Sequence, residues 1–337
     1  MKSFFLLLLL FIILIAGCTQ DGGQSIITPS IKSEGLNIIN FTTNFNTIRI
    51  QESTSLNLKL RNAGPFDSTN IKAVLYGYGL LIKQDLKNET EIILRDGKED
   101  VLSWVLRAPV VLSQTESTQY TVNARVYYWY NFSGFKQIAF VPSNYIGDSP
   151  TVYSNVESGP LSVNIQTISP LRSLEGMGVN FSLTIEVNKD EVGSVNYYND
   201  TLRSYHLNEL RIIVPATWIP LDNLYAFNFI TRGDEVEYKL NFDDLQEMYN
   251  NNTYSCPGSG LSNCDCTVSN SAQCVRISAA INNLWLIRGE KARLVMMFYH
   301  PDVTDPTIDV VQVKGNYGYE IDTKEFTGPL VITVRGD

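Results

Sequence analysis

Apolar residues in this chain recur at every second position, and that period decides what it can fold into. Tyr120, Val122, Ala124, Val126, Tyr128 and Tyr130 fall on one side of an extended strand, with Thr121, Asn123, Arg125, Tyr127 and Trp129 on the other. Leu56, Leu58 and Leu60 alternate with Asn57, Lys59 and Arg61, and Val179, Phe181, Leu183, Ile185 and Val187 repeat the pattern. Ile71–Tyr78, Val101–Leu106 and Phe135–Val141 read as further strands, with turns at Asn62-Ala63-Gly64-Pro65 and Ser133-Gly134. Asp243–Tyr249, with acids in its first turn, reads as a short helix. The chain is predicted to be all-β, and its 18 tyrosines favour strands over helices.

About seven short strands between residues 36 and 158 predict a β-sandwich. Glu157-Ser158-Gly159-Pro160 marks a boundary, after which a strand starts at Leu161-Ser162-Val163-Asn164-Ile165. The end of the chain repeats the end of this first part. Val126–Phe132 (VYYWYNF) parallels Gly315–Ile321 (GNYGYEI), so that Tyr128 and Tyr130 match Tyr317 and Tyr319, and Trp129 matches Gly318. Two tandem β-sandwich domains are expected, 36–158 and 159–337. The second is enlarged by a loop-rich insertion at about 190–275.

Ser55–Gly64 with its Asn-x-Gly turn, the following strand IKAVLY, and Leu102–Pro109 (LSWVLRAP) resemble the CARDB or S-layer-associated immunoglobulin-like modules of archaeal and bacterial surface proteins. The resemblance covers Leu36 to about Ser158. It implies immunoglobulin-like sandwiches used for spacing, adhesion or assembly, and it carries over no catalytic residues.

Residues 1–17 hold one early cation, Lys2, then the apolar run Phe4–Ile15 and a small-residue end, the pattern of a secretory signal peptide. The run is shorter than the roughly 20 residues of a membrane span. Ile15-Ala16-Gly17-Cys18 resembles the lipobox of prokaryotic lipoproteins, which implies cleavage before Cys18 and a diacylglyceryl thioether on its sulfur. Cys18 and the polar residues up to 35 then form a lipidated, flexible tether. The expected address is extracytoplasmic, at the cell membrane. The formal charge of −9, or −10 once Lys2 has left with the signal, argues against nucleic acid and against adsorption to anionic lipid head groups.

Cys256, Cys264, Cys266 and Cys274 are spaced C-x7-C-x-C-x7-C. In an exported chain this even cluster reads as two disulfides. Three pairings exist, and geometry disfavours Cys264 with Cys266. The rival reading, a four-cysteine zinc site, lacks a C-x2-C knuckle. Sequons at Asn40, Asn88, Asn131, Asn180, Asn199 and Asn251 are candidate glycosylation acceptors, and together with the lipobox they point to an archaeal envelope.

The sequence contains no G-x-S-x-G, P-loop, G-x-G-x-x-G, H-E-x-x-H or EF-hand pattern. Its two histidines, His206 and His300, read as surface or strand-end residues without metal-site spacing. Asp302, Asp305 and Asp309 share a loop beside prolines and read as solvated rather than as calcium ligands. The terminal Arg335-Gly336-Asp337 reads as chance. No catalytic residue, metal or cofactor is expected. Tyr127 and Trp129 are the binding candidates, because aromatic platforms hold sugars and partner surfaces; otherwise Trp129 packs under a loop or against the second sandwich. The expected function is a non-enzymatic, lipid-anchored surface module that binds, adheres to or spaces envelope components, with an envelope protein or glycan as partner. The alternative is an extracytoplasmic hydrolase or solute-binding component that uses the insertion of the second domain.

Overall fold

The computed structural model describes residues 34–88, 93–110, 117–157, 159–196, 206–221, 228–250 and 272–336. Strands dominate, as the alternation predicts. The first half carries β1 (Leu36–Thr43), β2 (Thr47–Arg49), β3 (Ser53–Asn62), β4 (Thr69–Tyr76), β5 (Ile82–Lys87), β6 (Glu99–Arg107) and β7 (Ser117–Val141). The second begins with β8 (Ser154–Glu157), β9 (Leu161–Gln166), β10 (Leu171–Arg172), β11 (Val179–Lys189), β12 (Ser194–Val195), β13 (Glu209–Pro215), β14 (Ile219–Pro220), β15 (Asn228–Arg232) and β16 (Glu235–Asn241). Two helices follow, α1 (Phe242–Asn250) and α2 (Ala272–Leu284). The chain closes with β17 (Lys291–His300), β18 (Thr307–Asp322), the short helix α3 (Thr323–Phe326) and β19 (Leu330–Arg335).

The two halves share one plan. One four-stranded sheet has the order β1-β3-β6-β5, and the other, read from its first strand, β9-β11-β17-β14. β4 pairs with β7 as β13 pairs with β18. β2 runs parallel to β19 as β10 runs parallel to β7. Relative to the first half, the second adds β15, β16, α1 and α2 between residues 228 and 284.

β7 joins the halves. Arg125–Phe140 pairs antiparallel with Asp322–Thr307 of β18, and Ser117–Val122 pairs with Arg335–Leu330 of β19. An eleven-stranded sheet results, and residues 32–337 form one compact unit. The expected turn at Ser133-Gly134 is not there: β7 runs straight through it for 25 residues. The reason is a partner the local sequence does not contain, since β18 places Lys314 and Val313 opposite these two residues. Gly134 serves close approach instead, because a Cβ there would lie 2.6 Å from Val163 Cγ1. The other expected turn, at residues 62–65, is present. The Asn62 side chain accepts from the Gly64 amide and donates to the Phe66 and Leu94 carbonyls.

Strand parity places the core as predicted. Val122, Ala124, Val126, Tyr128, Tyr130 and Phe132 are all buried, as are Val311, Val313, Tyr317, Tyr319 and Ile321 of β18. At the centre, Tyr128, Tyr130, Tyr317 and Tyr319 close a ring of edge-to-face contacts. Their centroids are 6.1, 6.3, 5.9 and 5.8 Å apart going round. Each such contact contributes about 0.5–1.5 kcal/mol beyond burial. The hydroxyls reach the strands above. Tyr130 Oη donates to the Glu34 carbonyl and accepts from the Phe66 amide, while Tyr317 Oη accepts from the Leu161 amide.

Burial pushes all four hydroxyls above the usual tyrosine range. A folded-state pKa above the unfolded value of about 10 gives stability that is complete below pH 10 and is lost above it. Urea unfolding followed from pH 8 to 11 is expected to show little change up to about pH 9 and then a fall that approaches about 1.4 kcal/mol per pH unit above pH 10 for each buried tyrosine. Tyr128→Phe should make the fall shallower.

Cutting the chain after residue 157 removes β18 and β19, leaving one edge of β7 unpaired and half of the tyrosine ring missing. Such an edge invites aggregation. Residues 36–157 expressed alone are expected to elute as aggregates in size-exclusion chromatography. A monodisperse folded fragment would mean that each half is autonomous.

Candidate binding face

The side of the β7–β18 ladder opposite the tyrosines carries the sequence-selected aromatics. Arg125, Tyr127, Trp129, Asn131, Ser133 and Phe135 stand opposite Asp322, Glu320, Gly318, Asn316, Lys314 and Gln312 in turn. Trp129 lies at the midpoint, with Gly318 on one side and Thr69 of β4 on the other. Trp129 and Tyr127 are half-buried and both have partners. Trp129 therefore meets the second half through the shared ladder, and it is neither a fully open platform nor a core residue.

One end of this face is a closed polar cluster. The Tyr76 hydroxyl donates to Asp322 Oδ2. Arg125 Nε lies 3.5 Å from both Glu320 and Asp322, and its guanidinium is 4.7 Å from the centre of the Tyr76 ring. Asn196 Nδ2 donates to Glu320. Asp322 Oδ1 accepts from the Lys324 amide and so caps α3. Burial, followed by the bond to Asp322, raises the Tyr76 pKa. The Lys324 ammonium lies 5.1 Å from the centre of the Tyr76 ring, so Arg125 and Lys324 both sit beside the two carboxylates.

The other end is open. An open cavity of about 350 Å³ lies over β7 and β18 beside β8, where Phe135, Val310, Gln312 and Lys314 line it. A second, of about 240 Å³, adjoins it toward β13 and β16 and shares Gln312 and Lys314. Arg211 and Glu237 line the second cavity, with Arg211 Nη1 3.6 Å from Glu237, and Glu209 accepts from Arg211 and Lys239. Burial raises the Glu209 pKa, but the bonds from Arg211 and Lys239 outweigh it and hold the carboxyl below the usual range.

The remaining candidates fall in separate places. His300 ends β17, as expected of a strand-end residue, but it is buried rather than on the surface. Its ring stacks on Phe140 at 3.8 Å, and Nε2 lies 3.2 Å from Asp309 Oδ2, which also accepts from Trp218 Nε1 at 2.6 Å. His206 is half-buried and stacks on Phe242. Asp302 accepts from the Gly176 amide and Asp305 from the Thr304 hydroxyl, so the three aspartates have different partners. Asn40, Asn131 and Asn180 are exposed; Asn88 is half-buried. Asn131 Oδ1 accepts from Asn316 Nδ2. Cys18, Cys256, Cys264, Cys266, Asn199, Asn251 and Asp337 lie outside the described residues, as does the side chain of Cys274, which falls in α2.

Sequence reasoning missed Tyr76, Arg125, Glu320, Asp322 and Lys314. The available signal was the repeat itself. Had the two matched strands been paired with each other, Arg125 would have fallen opposite Asp322.

No family profile and no curated protein sequence matches the chain. Among solved structures, the chain is similar to the sporulation control protein Spo0M from Bacillus subtilis, at 12% identity over 66% of this chain and 87% of that one, with a TM-score of 0.19. It is also similar to the Enterococcus faecalis MSCRAMM ACE, at 8% identity over 90% and 96%, with a TM-score of 0.16. A third is the collagen adhesin CNA from S. aureus, at 9% over 90% and 93%, with a TM-score of 0.13. Scores of this size carry nothing over to this chain.

Two substitutions probe the face. Trp129→Ala, at a half-buried site, is expected to cost about 2 kcal/mol, below the roughly 3–5 kcal/mol of a fully buried tryptophan. Asp322→Ala removes a helix cap and leaves the Tyr76 hydroxyl and Arg125 short of a partner, for a similar loss of about 2 kcal/mol. Urea denaturation checks both. A loss below about 0.5 kcal/mol at either site would show that the residue behaves as ordinary surface.

Proposed function

We propose that this protein is a non-enzymatic, lipid-anchored module of the cell envelope, held at the membrane through Cys18. It presents the outer face of its large sheet to an envelope protein or glycan. On this reading the two halves are immunoglobulin-like sandwiches of CARDB type, and the cysteine cluster of the second is stapled by disulfides. One observation carries the proposal: the outer face is built jointly by both halves, with β18 and then β19 paired along one edge of β7. The β7–β18 ladder runs from Arg125 to Phe140, which spans about 50 Å at the usual rise per residue. A ladder of that length gives a stiff platform suited to spacing and to broad contact.

The anchor is tested first. Cys18→Ser is expected to move the protein from the membrane fraction into the medium, or to leave it unprocessed. Two acyl chains hold a protein stably, whereas one binds only marginally. Intact-mass measurement of the wild-type chain should find a diacylglyceryl-modified Cys18 at the N-terminus. An unmodified N-terminus at another residue overturns the anchor.

A further inference from the structure

The two ends of the outer face are equivalent positions of the repeat, and they differ in what surrounds the cation that each presents. The repeat that matches Tyr128 with Tyr317 also matches Arg125 with Lys314. Arg125 stands opposite Asp322, and Lys314 stands opposite Ser133. Glu320 stands next along β18 from Asp322; its match on β7 is Asn131. Each half thus places a cation at the same point of the sheet. At Arg125 the chain supplies two carboxylates. At Lys314 the matched positions on β7 hold a hydroxyl and an amide; across the ladder stands Arg211, whose carboxylate partners are Glu209 and Glu237, and among the described residues no carboxylate pairs with the exposed Lys314 ammonium. Tyr76 covers Arg125 with its ring, whereas the matching residue on β13, Ile213, leaves room for the smaller cavity.

From this difference we infer that the groove over Lys314 binds a carboxylate-bearing sugar, a uronic acid unit of an envelope polysaccharide. Its carboxylate pairs with the Lys314 ammonium, as Asp322 and Glu320 pair with Arg125 at the other end. The groove suits a sugar in its other groups as well. Phe135 and Val310 offer an apolar surface for a ring face, and the amides of Gln312 and Asn155 stand at the hydroxyl edge. Glu157 is held by the Ser133 hydroxyl at 2.9 Å and forms the acidic rim of the groove. The bound carboxylate lies away from that rim, on the Lys314 side. This inference rests on the anchored-module reading and names the ligand of its outer face.

The test is calorimetric titration of the full-length chain in detergent micelles with hexagalacturonate, with its methyl ester and with hexaglutamate. Hexagalacturonate is expected to bind at least tenfold tighter than either of the others. Lys314→Met should remove the preference for the acid over the ester. Phe135→Ala should weaken both sugars, and Glu157→Gln should tighten the acid. Ser133→Asp installs in the second half the carboxylate that Asp322 provides in the first, and should abolish acid binding while thermal unfolding stays within a few degrees of wild type. Absence of binding at millimolar concentration, or binding that ignores Lys314→Met and Ser133→Asp, overturns the site. Hexaglutamate binding as tightly as the sugar overturns the ligand class. Either failure, with Cys18-dependent membrane attachment intact, leaves the anchored-module reading standing.

Discussion

The antiparallel pairing of β7 with β18 and β19 governs the rest of the structure. With Trp129 set against Gly318, side-chain alternation assigns every neighbouring residue to one of two faces. A slip of one residue along either strand would turn its tyrosines outward and its charged residues into the core. The tyrosine ring opposes that slip. It closes only when Tyr128 meets Tyr319 and Tyr130 meets Tyr317, which happens in a single register. The inner packing therefore fixes which charges meet on the outer face, although the two sets of residues do not touch.

The same register makes the two halves comparable position by position, and the faces have diverged unequally. Inside, the matched positions keep tyrosine in both halves, because each ring packs against a ring of the other half. Outside, Arg125 and Lys314 keep the charge, but Asp322 is answered by Ser133, Glu320 by Asn131 and Tyr76 by Ile213. A buried ring cannot be exchanged without leaving a void or an unbonded hydroxyl. On the outer face a charged partner can be exchanged for a hydroxyl or an amide without opening a void in the core. The outer face is thus where this fold has room to acquire a ligand.

Much of the fold was legible in the sequence. Period-two alternation gave the buried face of β7 residue by residue, and acids in a first turn gave the helix that spans Phe242–Asn250. The repeat gave the common plan of the halves. Alternation does not say which strand lies beside which, so the pairing of the two matched strands with each other was invisible. Without that pairing, Ser133-Gly134 has the composition of a turn, although Gly134 is there to let Val163 approach. His300 looked like a surface residue for a similar reason: what buries it is Phe140, 160 positions earlier in the chain. The candidate face was legible through Tyr127 and Trp129 alone, since ion pairs between distant strands leave no local pattern.

The point at which the chain enters this body bears on which face is presented. The Glu34 amide donates to the Glu191 carboxylate, the Tyr130 hydroxyl donates to the Glu34 carbonyl, and the Gly35 carbonyl accepts from the Ala63 amide. These groups come from both halves and gather on the tyrosine side of the large sheet. The final two residues assigned to the tether are therefore already part of the packed body. The outer face, with Trp129 at its centre and Lys314 toward one end, is on the opposite side of the large sheet from that point.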